Sequence, residues 1–287
     1  MIFSKLSTPK KAISGIIISI ALVVVLGITN IVPYFAVIPD MVKVGIDYIS
    51  LDKNKNYPDK KELAEALINA EESVQHPFIL ADKSDFRKVR EEYNNQSFSE
   101  YTESLTNYVL ANADALLEVS IYPPMEYVLD EEDSILPISR EVICRMIILG
   151  YAWQLTGEEK YARRAVLELE KVCSYDDWCT SHFLATAEMA LAVSIGYDWF
   201  YDYLDDDFKS LLAEKVFDYA ISSALNDNHW FTWSKNNWNS ICYSGIGIAC
   251  MTFSEYNRED AAEFLSMCYE NMPIAFENFT PDGVYAE

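Results

Sequence analysis

The stretch WFTWSKNNWNSICYSG, residues 230–245, places Asn236, Asn237, Trp238 and Asn239 directly before an apolar run of helical character. Amides donate and accept hydrogen bonds without a full charge, and Trp238 supplies a flat wall beside them. Such a set at a helix start suits a polar ligand. The same residues also suit a helix cap and a packed core, because Asn is favoured at N-caps and Trp is usually buried. Metal chemistry finds no comparable pattern. Cys144, Cys173, Cys179, Cys242, Cys250 and Cys268 contain no CxxC pair, and His76, His182 and His229 lack ligand spacing. Cys242 and Cys250, eight residues apart on one expected helix, are separated by roughly 12 Å, too far for a disulfide. Cys173 and Cys179 flank a SYDDW turn and could bridge or remain buried thiols.

The elements that must position these residues read as helix after helix. Helical periodicity marks 59–73, 84–93, 97–119, a helix carrying Ile143, Met146, Ile147, Gly150, Tyr151 and Leu155, and a following one whose face is Tyr161, Ala165, Leu169 and Val172. Thr156-Gly157 separates the last two as a helical hairpin. Further helices are expected over 181–204, 207–225, 239–253 and 259–279, with no strand pattern. The longest irregular stretch runs from Ser120 to Pro137. Consecutive antiparallel hairpins without a strict repeat suggest an α/α toroid or an α-solenoid.

Composition narrows the partners. With 51% hydrophobic and 14% aromatic residues in 287, the chain can bury a large core. Its 19 Tyr and 6 Trp fit carbohydrate handling or an aromatic-rich helical core equally well. Lys5, Lys10 and Lys11 precede a 21-residue, mainly apolar run from Ala12 to Val32. At helical rise that run covers roughly 30 Å, enough for a bilayer core. No Ala-x-Ala site follows, so an uncleaved signal anchor with the remaining chain outside the cytoplasm is expected. Residues 40–287 then carry 19 Lys and Arg against 45 Asp and Glu, a net of −26. Nucleic acid is excluded as a partner on charge, and a strongly sulfated glycan is disfavoured.

Five segments, taken in order, resemble the heparinase II/III-like family of polysaccharide lyases. They are HPFILADKSDFRKVRE (His76 to Glu91), SREVICRMIILGYAWQLTGEEKYARRAVLELEKVCSYDDW (Ser139 to Trp178), SHFLATAEMALAVSIGYDWFYDYL (Ser181 to Leu204), NNWNSICYSG (Asn236 to Gly245) and TPDGVYAE (Thr280 to Glu287). The resemblance covers about residues 76–287. It implies an α/α toroid of antiparallel hairpins over 76–287, which, with the signal anchor expected over 1–40 and a linker with a short amphipathic helix over 41–75, gives an all-α architecture for the chain. In the family a β-sandwich follows the toroid. The chain stops at Glu287, so the toroid is expected to be incomplete and this portion inactive.

The resemblance also implies β-elimination on an anionic, uronate-containing polysaccharide. That chemistry needs no cofactor or metal. It needs a partner for the sugar carboxylate, a base for the C5 proton and a donor to the leaving oxygen. Asn237 is the expected carboxylate partner, with Asn236, Trp238 and Asn239 in support. Family members often carry an Asn-His pair here. In this chain Trp238 follows Asn237, so His229 in DNHWFTW, or His182 at the start of a long helix, would supply any imidazole. Tyr285 is the nearby phenol and precedes the expected catalytic Tyr. Arg140 could grip a uronate bidentately or pair with Glu141 or another acid. Trp178 could stack a sugar, whereas Trp199 reads as core. Asp205, Asp206 and Asp207 suit a helix cap or a two-carboxylate hydrolase. A noncatalytic glycan-binding toroid and a toroid-type glycoside hydrolase therefore stand beside the lyase.

Overall fold

A computed structural model describes residues 57–226, 229–276, 278 and 283. The expected membrane anchor and Tyr285 lie outside them. Among the described residues every regular element is helical, and no helix is long and apolar enough to cross a membrane. The chain divides into two compact units. One holds the described residues within Val74–Tyr219, and the other holds those up to Ser73 together with those from Ala220 onward.

The Val74–Tyr219 unit contains α2 (Lys83–Asn94), α3 (Glu100–Leu116), α4 (Leu136–Thr156), α5 (Glu159–Cys173), α6 (Phe183–Trp199) and α7 (Asp206–Val216). The central pair is α4 and α6. Every residue of α6 except Tyr197 is buried, as expected for a helix apolar all round. Ile143, Met146 and Leu149 of α4 are fully buried, and each such side chain contributes about 1.5–3 kcal/mol. A Cβ on Gly150 would stand 2.6 Å from the Trp199 ring, so this close approach requires glycine. Gly157 ends α4 in the left-handed region at φ 71°, closing the hairpin into α5. The expected face of α5, Tyr161, Ala165, Leu169 and Val172, is buried. Asp205 caps α7 by accepting from the Phe208 amide at 2.8 Å, and Asp206 and Asp207 form the acidic first turn of that helix.

The irregular stretch between α3 and α4 is fixed by buried charge. Glu168 of α5 is fully buried, and its Oε2 lies 3.0 Å from Arg145 Nη1 and 2.8 Å from Arg164 Nη1. Its Oε1 accepts from the Met125 amide at 2.7 Å. The arginines extend the clamp: Arg145 donates to the Pro123 carbonyl, and Arg164 donates to those of Leu116 and Tyr122. Tyr175 Oη donates to the Met125 carbonyl at 2.6 Å. Backbone polar groups that no helix satisfies thus find charged partners.

Asp198 does the same for the chain entering the unit. Its buried carboxylate meets His76 Nδ1 at 2.6 Å and accepts from the Phe78 and Ile79 amides. Burial raises its pKa against the opposing pull of His76 and these amides.

The second unit contains α1 (Lys60–Glu71), α8 (Ser222–Asn226), a 3₁₀ turn (Trp230–Trp233), α9 (Asn237–Thr252) and α10 (Arg258–Phe276). Asp59 and Glu62 form a capping box at the start of α1. This helix, expected within a linker, belongs to the fold. Leu63, Ala66 and Leu67 are buried, Lys60 pairs with Glu263 at 2.9 Å, and Glu71 receives Ser254 and Arg258. Tyr243 of α9 is fully buried between Phe231 and Phe264, at centroid distances of 5.5 and 5.4 Å.

All six cysteines lie among the described residues, and none forms a disulfide. Cys173 and Cys179 are buried thiols, and burial pushes the Cys173 thiol up to about 12. Cys144 on α4 is exposed. Partial burial of its sulfur, then Glu141 and Glu188, raise its pKa.

Candidate functional site

The Asn-rich cluster is built on a turn followed by a capped helix. Asn236 takes extended backbone at φ −102°, and its Oδ1 accepts from the Trp238 amide at 3.1 Å and the Ser234 hydroxyl at 2.6 Å. Those bonds make Asn236 the N-cap of α9, so it supports the site rather than gripping a ligand. Asn278 Nδ2 donates to the Lys235 carbonyl, tying down the same turn. Asn237, the first residue of α9, is exposed. Trp238 is half-buried against Trp230, with ring centroids 4.6 Å apart and planes tilted by 41°.

Asn239 has the other role. It is fully buried, and its Nδ2 faces the carbonyls of Phe231, Thr232 and Asn271 at 3.2 to 3.3 Å. Its amide therefore holds the Trp230–Trp233 turn and α10 against the start of α9. Oδ1 has no hydrogen-bond partner among the described residues.

His229 faces inward. Its Nε2 lies 3.2 Å from the Ser223 carbonyl, a contact that requires this nitrogen to carry the proton, and its ring stacks on Phe231 at 5.3 Å. Nε2 is thus engaged as a donor and is not the base. Tyr243, one helical turn beyond Asn239, is held protonated because burial raises its pKa.

The remaining expected residues sit in the other unit. Trp178 is fully buried, donates from Nε1 to the Val172 carbonyl at 3.0 Å and packs edge-on to Tyr219. A ring with no open face cannot stack a sugar, so the structure corrects Trp178 to a packing role. His182 closes the Thr180–His182 turn and caps α6, its amide donating to the Cys179 carbonyl at 2.9 Å.

Arg140 does not pair with Glu141. It forks onto Glu188 of α6, with Nε to Oε2 at 3.0 Å and Nη2 to Oε1 at 3.1 Å, while Glu141 pairs with Arg145. Glu188 is buried, and its hydrogen-bonding capacity at Arg140 is already filled. Burial raises the Glu188 pKa, and Arg140 opposes the shift. A carboxyl with a raised folded pKa binds more protons folded than unfolded. Its stabilising contribution is complete below the ordinary carboxylate range and is lost as pH rises through the folded pKa. Arg140→Met removes the opposing charge. Its stability deficit against the parent, read from urea midpoints, is therefore expected to be larger at about pH 7 than at about pH 4. Equal deficits at the two values would refute this assignment.

The sequence reading missed Trp230 and Trp233, whose indoles are 47% and 55% exposed. Their signal was the WxxW spacing just before the asparagines. Residues 228–254 contain no Asp or Glu, and Lys235 is their one fully charged side chain. In a chain this acidic, that segment itself adds no like charge against an anion. Compared with known protein families the chain matches no family model, and no curated protein matches it.

Proposed function

We propose that the chain is the helical portion of a surface-anchored protein acting on extracellular uronate-containing glycans. Its hairpins form part of an α/α toroid of the heparinase II/III-like kind, and the chain is held to the membrane by the apolar segment before residue 40. The observation that carries this reading is the exposed Asn237 amide at the first turn of a capped helix, flanked by the Trp230–Trp238 pair in a segment without acids.

An amide donor there neutralises a uronate carboxylate without adding a full charge. Neutralisation acidifies the C5 proton, because the charge that develops when a base removes that proton spreads onto the carboxyl group. The glycosidic oxygen at C4 then leaves with a proton, and an unsaturated sugar remains.

A second reading, noncatalytic glycan binding, is favoured by the engaged Nε2 of His229 and the buried phenol of Tyr243. With Nε2 donating, Nδ1 is the one nitrogen of His229 left to accept a proton. Incubating the purified chain with glucuronate, galacturonate and mannuronate polysaccharides separates the two, because β-elimination creates a conjugated double bond that absorbs in the ultraviolet. Rising absorbance establishes the lyase. Binding without absorbance establishes the noncatalytic reading, and absence of both rejects the glycan assignment.

A further inference from the structure

We infer that Trp233 and the Trp230–Trp238 pair form a stacking platform for at least two consecutive sugar rings, with Lys235 selecting acidic over neutral glycans. The inference rests on the reading that this face meets a glycan, and it does not require β-elimination.

The geometry begins with the turn. Trp230 and Trp233 stand at the two ends of one 3₁₀ segment. Side chains three residues apart on such a helix lie one above the other, separated along the axis by about 6 Å, on the scale of one sugar residue. Both indoles are about half exposed, an unusual state for the residue type with the largest apolar surface. Neither is loosely anchored. Phe231, between them, is 1% exposed and packs on Tyr243, while Asn239 holds the carbonyls of Phe231 and Thr232. Phe231 and the Asn239 amide fix the backbone of the turn, so little backbone freedom is left to lose on binding. Trp238, half-buried, braces Trp230 from the first turn of α9.

Flat apolar faces with amide and ammonium groups around them match a pyranose, which presents axial C–H groups on its face and polar groups at its rim. A partner protein would be expected to bury such indoles in a larger apolar surface. Here the neighbouring Ser234, Lys235, Asn236 and Asn237 are polar, and Lys235 and Asn237 are exposed. The same polarity disfavours a lipid surface. Lys235 follows Trp233 by two residues, and no acid lies within 228–254, so the charge this segment itself presents to a sugar carboxylate is positive.

The test uses the full 287-residue chain in mild detergent, titrated with hexasaccharides of glucuronate–N-acetylglucosamine, galacturonate and mannuronate, and with a neutral cellulose-derived hexasaccharide. Binding is followed by tryptophan emission and calorimetry. At least one acidic hexasaccharide is expected to bind, to shift the emission and to outcompete the neutral one. Trp233→Ala and Trp230→Ala should each weaken it about tenfold, the scale of a stacked aromatic contact. Lys235→Met should bring acidic and neutral affinities within a few-fold of each other. Far-UV dichroism and melting temperature check that each variant is folded, and Trp233, the more exposed indole, serves if Trp230→Ala disturbs the turn.

Unchanged affinity in the folded Trp233→Ala protein, or failure of every hexasaccharide to bind, overturns the platform. Binding that needs both indoles but yields no unsaturated product keeps the platform and discards the lyase. Product formation with KM unaffected by either indole does the reverse.

Discussion

Changing Glu168 to Leu is expected to lower the unfolding free energy by about 3–5 kcal/mol, the cost of stranding a buried charge. The magnitude follows from what the side chain holds. Glu168 Oε2 serves both Arg145 and Arg164, whose side chains are 7% and 2% exposed, and Oε1 satisfies the Met125 amide. Arg145 keeps Glu141 as a second acid, but that carboxylate is 46% exposed and its attraction is screened. Among the described residues, the ion pair found for Arg164 is with Glu168. The variant should also open the stretch between α3 and α4 to protease, because the Pro123, Tyr122 and Leu116 carbonyls depend on the same arginines. Denaturation followed by circular dichroism measures the loss, with Glu141→Gln as the comparison, expected within about 1 kcal/mol of the parent. A loss below that for Glu168→Leu would show that the clamp is not the anchor of this segment.

Under the lyase reading, and in a version of the protein that carries the complete catalytic machinery, Asn237→Ala is expected to lower the rate of unsaturated-product formation by on the order of 100-fold, the scale for removing one donor to developing charge. Asn237 is exposed, while Asn236 is committed to the cap and Asn239 to three carbonyls, so the substitution spares both of those supports of the turn. KM should move much less than kcat, because the interaction strengthens as the enolate forms. Steady-state rates on the polysaccharide that the parent cleaves, with melting temperature as the folding check, decide the matter. A folded variant with parental turnover would remove Asn237 from the chemistry.

These two residues mark where the sequence speaks and where it does not. Helix existence was legible because it depends on local pattern: Tyr161, Ala165, Leu169 and Val172 share one face at helical spacing, and that face is buried. Caps at Asp205 and Asn236 were legible for the same reason, a short polar side chain bonding two or three residues ahead. The Arg145–Glu168–Arg164 cluster was not, since its members and their carbonyl partners are brought together only by tertiary packing. Arg140 shows the limit directly: Glu141 is its neighbour in sequence, yet consecutive helical residues point about 100° apart, and the partner is Glu188 on another helix. Trp178 and Trp233 look alike in sequence and end in opposite places, one fully buried and the other half exposed, because burial is decided by what packs on top. The role of α1 in the fold was hidden too, since its charged surface resembles a linker, yet it packs against α10 with Leu63 and Leu67 buried.

The exposed thiol on α4 has a practical side. Cys144 lies one helical turn from Arg140, and the other five cysteines are buried. A thiol-reactive dye would therefore attach at one position in the folded chain without any cysteine being removed. With partial burial of the sulfur, and then Glu141 and Glu188, raising its pKa, the reaction is slow at neutral pH and quickens in mild alkali. The same protonation shields Cys144 from air oxidation and from coupling to a second molecule, so the protein carries a built-in attachment point that stays quiet until the pH is raised.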